Sequence, residues 1–255
     1  MDSPPDPEDL IPILGNLLEA TALPRPDLVA VLLPPADVQQ GKLELWKVGV
    51  GLAANELAAG VSREAQAGAT LNALRLARHL FEYLLCARYV LADPVERLDE
   101  AHGDEAAERR KIRRFAQDLQ PNTAEALLAV QEQDALLAAA EQRKSSGGRA
   151  DLPNRADMAR TLGLDDEYNH YYRASSWLAH PGLAGTSESY LVTSPDFSLS
   201  TRPGGLSDPS VIQSALALAC VALHGIFAAL GDVPPLWPDV TSRIATVVRN
   251  TDGCV

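Results

Sequence analysis

An arginine and a histidine stand seven positions apart in YYRASSWLAHPG, residues 171 to 182. A histidine can take up or release a proton near neutral pH, and a guanidinium can hold a phosphate in a fixed fork of donors. Seven residues is close to two helical turns, so Arg173 and His180 share one stripe of an α-helix. Tyr172, Ser176 and His180 recur at spacing four, while Arg173, Trp177 and His180 recur at four and then three. Ser176 can bond one imidazole nitrogen and leave the other free for chemistry. Arg173 lies about 10 Å down the helix axis, within reach of a phosphate held near His180. The competing account is local: His180 answers the carbonyls of a helix C-terminus just before Pro181.

A second polar group interrupts RLARHLFEYLLCAR, residues 75 to 88. Arg78 and Glu82 face each other at i and i+4, and Arg75 lies two turns from Glu82 on nearly the same stripe. Such a pair set into an apolar surface is costly to desolvate unless well hydrogen-bonded. It reads either as an ion pair at the edge of a core or as part of a site. ERRKIRRF, residues 108 to 115, brings together Arg109, Arg110, Lys111, Arg113 and Arg114. This cluster is either a hold on nucleic acid or a solvated helix face offsetting the acids at 99 to 108.

Two other chemistries find less support. Glu167 and His170 make one E-x-x-H step of the kind used in di-metal bundles, and Asp99 with His102 makes only a weak second. Cys86, Cys220 and Cys254 form no metal or disulfide pattern, and no nucleophile elbow or phosphate-cradling glycine loop occurs. No cofactor and no metal are therefore expected.

The elements that must position these residues are nearly all helical. Apolar periodicity and breakers predict helices over 10–22, 37–60, 64–92, 94–119, 123–143, 209–231 and 237–249, with a further helix carrying the Arg173 motif. Asp93-Pro94 both stops one helix and starts the next. Asn122 with Glu125 is a capping signal, and Asp165 or Asp166 is a candidate cap for the motif helix. RKSSGGRADLPN reads as a flexible break. SESYLVTSPDFSLSTRPGG alternates in the manner of a short β-hairpin or ordered loop. The expectation is a mainly α fold: a single bundle of six to eight helices over 37–255, preceded by a short helix and a Pro-rich connection over 1–36.

Composition bounds the partners. Of 255 residues, 46% are hydrophobic and 22% charged, which is globular rather than disordered. A net charge of −12 argues against non-specific coating of nucleic acid, though not against a local basic site. MDSPPDPEDL is unlike a secretory leader, so a cytoplasmic location is expected. Residues 211–230 carry no formal charge over a bilayer-spanning length, but Gln213, Ser214 and His224 interrupt them. A core helix without membrane contact is expected there.

Taken together, Arg78 and Glu82 in an apolar run, Arg88 to Pro94 (R-Y-x-L-x-D-P), then Tyr172, Ser176, His180 and Pro181 resemble an uncharacterised bacterial helical family. That family is similar to the HEPN superfamily (higher eukaryotes and prokaryotes nucleotide-binding), and the resemblance covers roughly residues 65 to 230. Many HEPN proteins are metal-independent endoribonucleases with an Arg-x4-6-His motif, acting as toxins or phage-defence effectors. Arg173 and His180 match the upper end of that spacing. Ala174 stands where a polar residue is usual, and Gly182 where an aromatic is common. The resemblance implies catalysis by Arg173 and His180, supported by Tyr172, Ser176, Arg78 and Glu82. It further implies RNA as substrate, a homodimer completing the site, and an antitoxin or regulatory protein as partner. The alternative is a non-catalytic helical module that binds a ligand or regulates a partner.

Overall fold

Helix punctuation in this chain is written by a few residues. Asp93 ends one helix and accepts the first hydrogen bond of the next, from Arg97 N–H at 3.0 Å, while Pro94 occupies the first helical position. Gly68, at φ +70°, closes a helix in a Schellman arrangement: Ala69 N–H donates to Glu64 O and Gly68 N–H donates to Ala65 O. Gly163, at φ +67°, does the same further on, with Leu164 N–H donating to Ala159 O at 2.8 Å. Asn154 and Asp157 form a reciprocal cap: the Asn154 side chain accepts from Asp157 N–H and donates to its carboxylate.

The computed structural model describes residues 7–21, 38–115, 124–173, 191–193, 199–201 and 209–231. The helices are α1 (Pro7–Ala20), α2 (Val38–Gln66), α3 (Thr70–Ala92), α4 (Pro94–Phe115), α5 (Ala124–Ser145), α6 (Arg155–Leu162), α7 (Asp165–Glu167) and α8 (Pro209–Leu230). Strands β1 (Leu191–Thr193) and β2 (Leu199–Thr201) pair antiparallel, with Val192 opposite Ser200. The fold is mainly α. The expected boundary at 36/37, the cap at Asn122 and the helix over 237–249 lie outside the described residues. The break expected between 60 and 64 instead falls at 67–69: α2 runs on to Gln66 and stops at the turn through Gly68.

The chain divides into two compact units, Met1–Arg88 with Ala159–Val255, and Tyr89–Met158. In the first, α1 packs on α2 and α8, and α8 packs on α2. Leu10, Leu14, Ala54, Val61, Leu80, Phe81, Leu85, Leu216, Leu223 and Ile226 are fully or almost fully buried. Thr21 and Asn55 lock the end of α1 to α2: Thr21 Oγ1 donates to Asn55 Oδ1 at 2.7 Å, and Asn55 Nδ2 donates back to the Thr21 carbonyl. Gly225 lets α8 approach α3, since a Cβ there stands 2.6 Å from Leu84 Cδ1. Among the described residues, Val211–Leu230 is long and apolar enough to cross a membrane, with a mean hydropathy of 2.0. Its residues from Ala215 to Cys220 are all buried within this unit. Burial pushes the Cys220 thiol up to about 12, so it is an inert core residue.

In the second unit α4 packs on α5. Gly103 is required where the chain returns, because a Cβ there collides with the Ala150 carbonyl oxygen. Glu100 is buried and accepts a hydrogen bond from the Tyr89 hydroxyl at 3.2 Å, and Arg97 lies over the Tyr89 ring. Burial, the largest influence, pushes the Glu100 carboxyl above the usual carboxylate range despite Tyr89 and the nearby arginines. A carboxyl raised on folding stabilises fully below its unfolded pKa, and that contribution is lost as pH rises through the folded value. Glu100→Gln keeps an acceptor for Tyr89. It should therefore raise the melting temperature near pH 7.5 and leave it close to wild type near pH 4. A melting temperature unchanged at both pH values contradicts this assignment.

Candidate polar cleft on helix α3

Helix α3 has two unlike faces. Leu74, Ala77, Leu80, Phe81, Leu84 and Leu85 recur at helical spacing and are buried. Arg75, Arg78, His79 and Glu82 recur at the same period on another stripe, and together they line a cleft of about 240 Å³.

The connection to the motif segment runs through Tyr172. Its hydroxyl donates to Glu82 Oε1 at 2.8 Å and accepts from Arg78 Nη2 at 3.0 Å. Arg78 and Glu82 themselves are 3.8 Å apart, too far for a direct hydrogen bond, so the phenol mediates the pair. The Arg78 guanidinium also lies over the Tyr172 ring, its central carbon 4.6 Å from the centroid. Phe81 supports the ring from the core, with centroids 6.2 Å apart. Burial first, and the Glu82 carboxylate after it, hold the phenol above its ordinary pKa, against the opposing influence of Arg78. Tyr172 therefore stays protonated at neutral pH and orients its neighbours rather than serving as a base.

The segment that delivers Tyr172 departs from the expected α-helix. Helix α7 begins at Asp165 with Leu164 at the N-cap position and no side-chain cap, so neither Asp165 nor Asp166 plays the capping role. After one α turn the chain widens into a π-helix over Tyr168–Arg173. The wider turn brings Tyr168 and Tyr172 into a stack, centroids 4.9 Å apart and planes at 22°. Such π turns are rare and are frequently found at functional sites. The expected stripe through Tyr172, Ser176 and His180 thus begins inside this π-helix, and its later members lie outside the described residues. The Glu167–His170 step also straddles the change of helix type.

The structure brings together Arg78, Glu82 and Tyr172. The backbone of Arg173 follows directly on Tyr172, while Ser176 and His180, together with the Arg173 side chain, lie outside the described residues. His79 was missed by motif spacing, although it lies at i+4 from Arg75 and i−3 from Glu82, and its ring meets Tyr83 edge-on at 5.8 Å. In the basic cluster of α4, Arg109 pairs with Glu105 and Lys111 with Glu108, all on exposed side chains. That is the arrangement of a solvated helix face. Among the described residues, no three His, Cys, Asp or Glu side chains are grouped to hold a metal ion.

No curated protein and no solved structure matches the chain. Residues 50–198 match DUF5677, a family of unknown function. The matched region takes in both the α3 cleft and the Arg173–His180 motif. As it spans more than half of the sequence, the chain belongs to the DUF5677 family.

Proposed function

We propose that this protein is a HEPN-like, metal-independent endoribonuclease of the toxin or phage-defence type. The observation that carries this reading is the Tyr172 hydroxyl bonded to both Arg78 and Glu82. It fixes the residue beside Arg173 against an open cleft rich in arginine and histidine. In this reaction His180 takes the proton of an RNA 2′-hydroxyl, the 2′-oxygen bonds to phosphorus, and the P–O5′ bond breaks. The proton is returned to the leaving 5′-oxygen, so no water, metal or redox partner is consumed. Arg173 stabilises the extra charge on the pentacoordinate phosphorus. Tyr172, Arg78 and Glu82 position that segment, and Ser176 orients His180. A homodimer completes the site, an antitoxin or regulatory protein restrains it, and the cytoplasm, away from membranes, is where it acts.

The test is cleavage of RNA by the full chain in excess chelator. Products ending in 2′,3′-cyclic phosphate, absent with Arg173→Ala and His180→Ala, support the reading. Cleavage that survives in both variants removes these residues from the chemistry. The −12 net charge and the Arg109–Glu105 and Lys111–Glu108 pairs on α4 favour one other reading, a non-catalytic ligand-binding or regulatory module. Absence of any RNA cleavage would bring that reading forward.

A further inference from the structure

We infer that the α3 cleft is a phosphate-binding site, in which Arg75, Arg78 and His79 hold the oxyanion and Tyr172 with Glu82 keeps Arg78 in place. Binding requires no cleavage, so this goes beyond the nuclease reading.

The donors are arranged for it. Arg75, Arg78 and His79 lie at i, i+3 and i+4, the spacing at which side chains of one helix converge on a common point. Arginine offers five N–H groups in a planar fork matched to phosphate oxygens, and imidazole keeps at least one N–H donor in either protonation state. Arg78 is only partly engaged. One terminal nitrogen is bonded to Tyr172, Glu82 stands off at 3.8 Å, and its buried Nε has no hydrogen-bond partner among the described residues. A guanidinium left partly unsatisfied keeps N–H groups for an incoming oxyanion.

The cleft is also electrically set apart from the rest of the chain. Across a molecule of net charge −12, its lining carries two guanidiniums and an imidazole against one carboxylate. That carboxylate already accepts the Tyr172 hydroxyl, so it is stabilised where it stands and does not need to compete for Arg78. Stacking on the Tyr172 ring limits the freedom of the guanidinium before any ligand arrives, which reduces the ordering cost of binding. A volume of about 240 Å³ falls short of pockets that enclose whole drug-sized molecules. It suits a phosphate with its attached sugar, either a backbone phosphate of single-stranded nucleic acid or a free mononucleotide.

The experiment measures binding of the full chain to a 2′-O-methyl oligoribonucleotide, which lacks the nucleophile for cleavage, and separately to adenosine monophosphate. Arg75→Ala and His79→Ala should each weaken binding about tenfold. For the oligonucleotide, Arg75→Ala should also reduce the slope of log affinity against log salt by about 0.7. Circular dichroism and denaturation of each variant establish that folding is intact, and Arg75→Lys should recover part of the affinity and the full salt slope. Binding of the oligonucleotide well above that of the mononucleotide identifies a polymer phosphate. Equal binding identifies a free nucleotide, and both support the site. Wild-type affinity and salt slope in Arg75→Ala and His79→Ala, or no binding of either probe, overturns it. The two proposals fail separately. Binding lost in these variants without any RNA cleavage by wild type leaves the phosphate site standing and removes the nuclease. Cleavage of ordinary RNA with unchanged KM in both variants does the reverse.

Discussion

Phe81→Ala is expected to destabilise the protein by about 3–5 kcal/mol, read from the denaturant midpoint at constant m-value. The ring is completely buried on the apolar face of α3, so its removal forfeits both transfer energy and the packing of the walls it touched. Alanine at this position leaves a cavity that the surrounding core fills only in part. The loss should extend to the cleft, because Phe81 lies against Tyr172, which holds Arg78 and Glu82. Val95→Ala is the contrasting control: that side chain is 84% exposed, and its truncation should stay within about 0.5 kcal/mol. Equal effects at the two positions would refute the packing described for α3.

The second large effect concerns rate. Under the proposed nuclease chemistry, His180→Ala should slow RNA cleavage in chelator by about 10²–10⁴-fold, the usual worth of a positioned general acid–base. Arg173→Ala should cost about 10²–10³-fold through lost stabilisation of transition-state charge. Groups serving one transition state are not additive, so the double variant should fall little further than the weaker single one. A fully additive double variant, or losses below threefold, would mean that the two residues do not act on a common transition state.

Much of the scaffold was legible because its signals are local. Asp93-Pro94 marks a stop and a restart in sequence as in structure, since a proline's missing N–H and fixed φ leave few alternatives. The Arg78–Glu82 juxtaposition followed from the helical repeat alone. The Asn154–Asp157 cap is equally local, yet it stands at the end of RKSSGGRADLPN, where the preceding serines and glycines dominate the composition and mask it. His79 went unseen for a different reason: adjacent to Arg78 in sequence, it looked like background, and its membership of the stripe shows only when spacing is counted from Arg75 and Glu82. The hydroxyl bridge by Tyr172 depends on residues ninety positions apart, and no periodicity encodes such a contact. The widening at Tyr168–Arg173 likewise has no residue signature; it is found together with the Tyr168–Tyr172 stack and with the anchor on α3, which joins residues far apart in sequence.

That widened turn sets a phase. An α-helix closes a turn in about 3.6 residues, and a π turn, bonded from i to i+5, takes in about one residue more before the chain comes round. Forced into regular α geometry at unchanged length, the segment would carry Tyr172 about a quarter-turn past its present heading on Arg78 and Glu82. Removing a single residue such as Asn169 would largely compensate for that rotation and return Tyr172 close to where it points now. The wide turn thus works as a spacer: it lets the segment hold one residue more than an α turn and still present its tyrosine to α3.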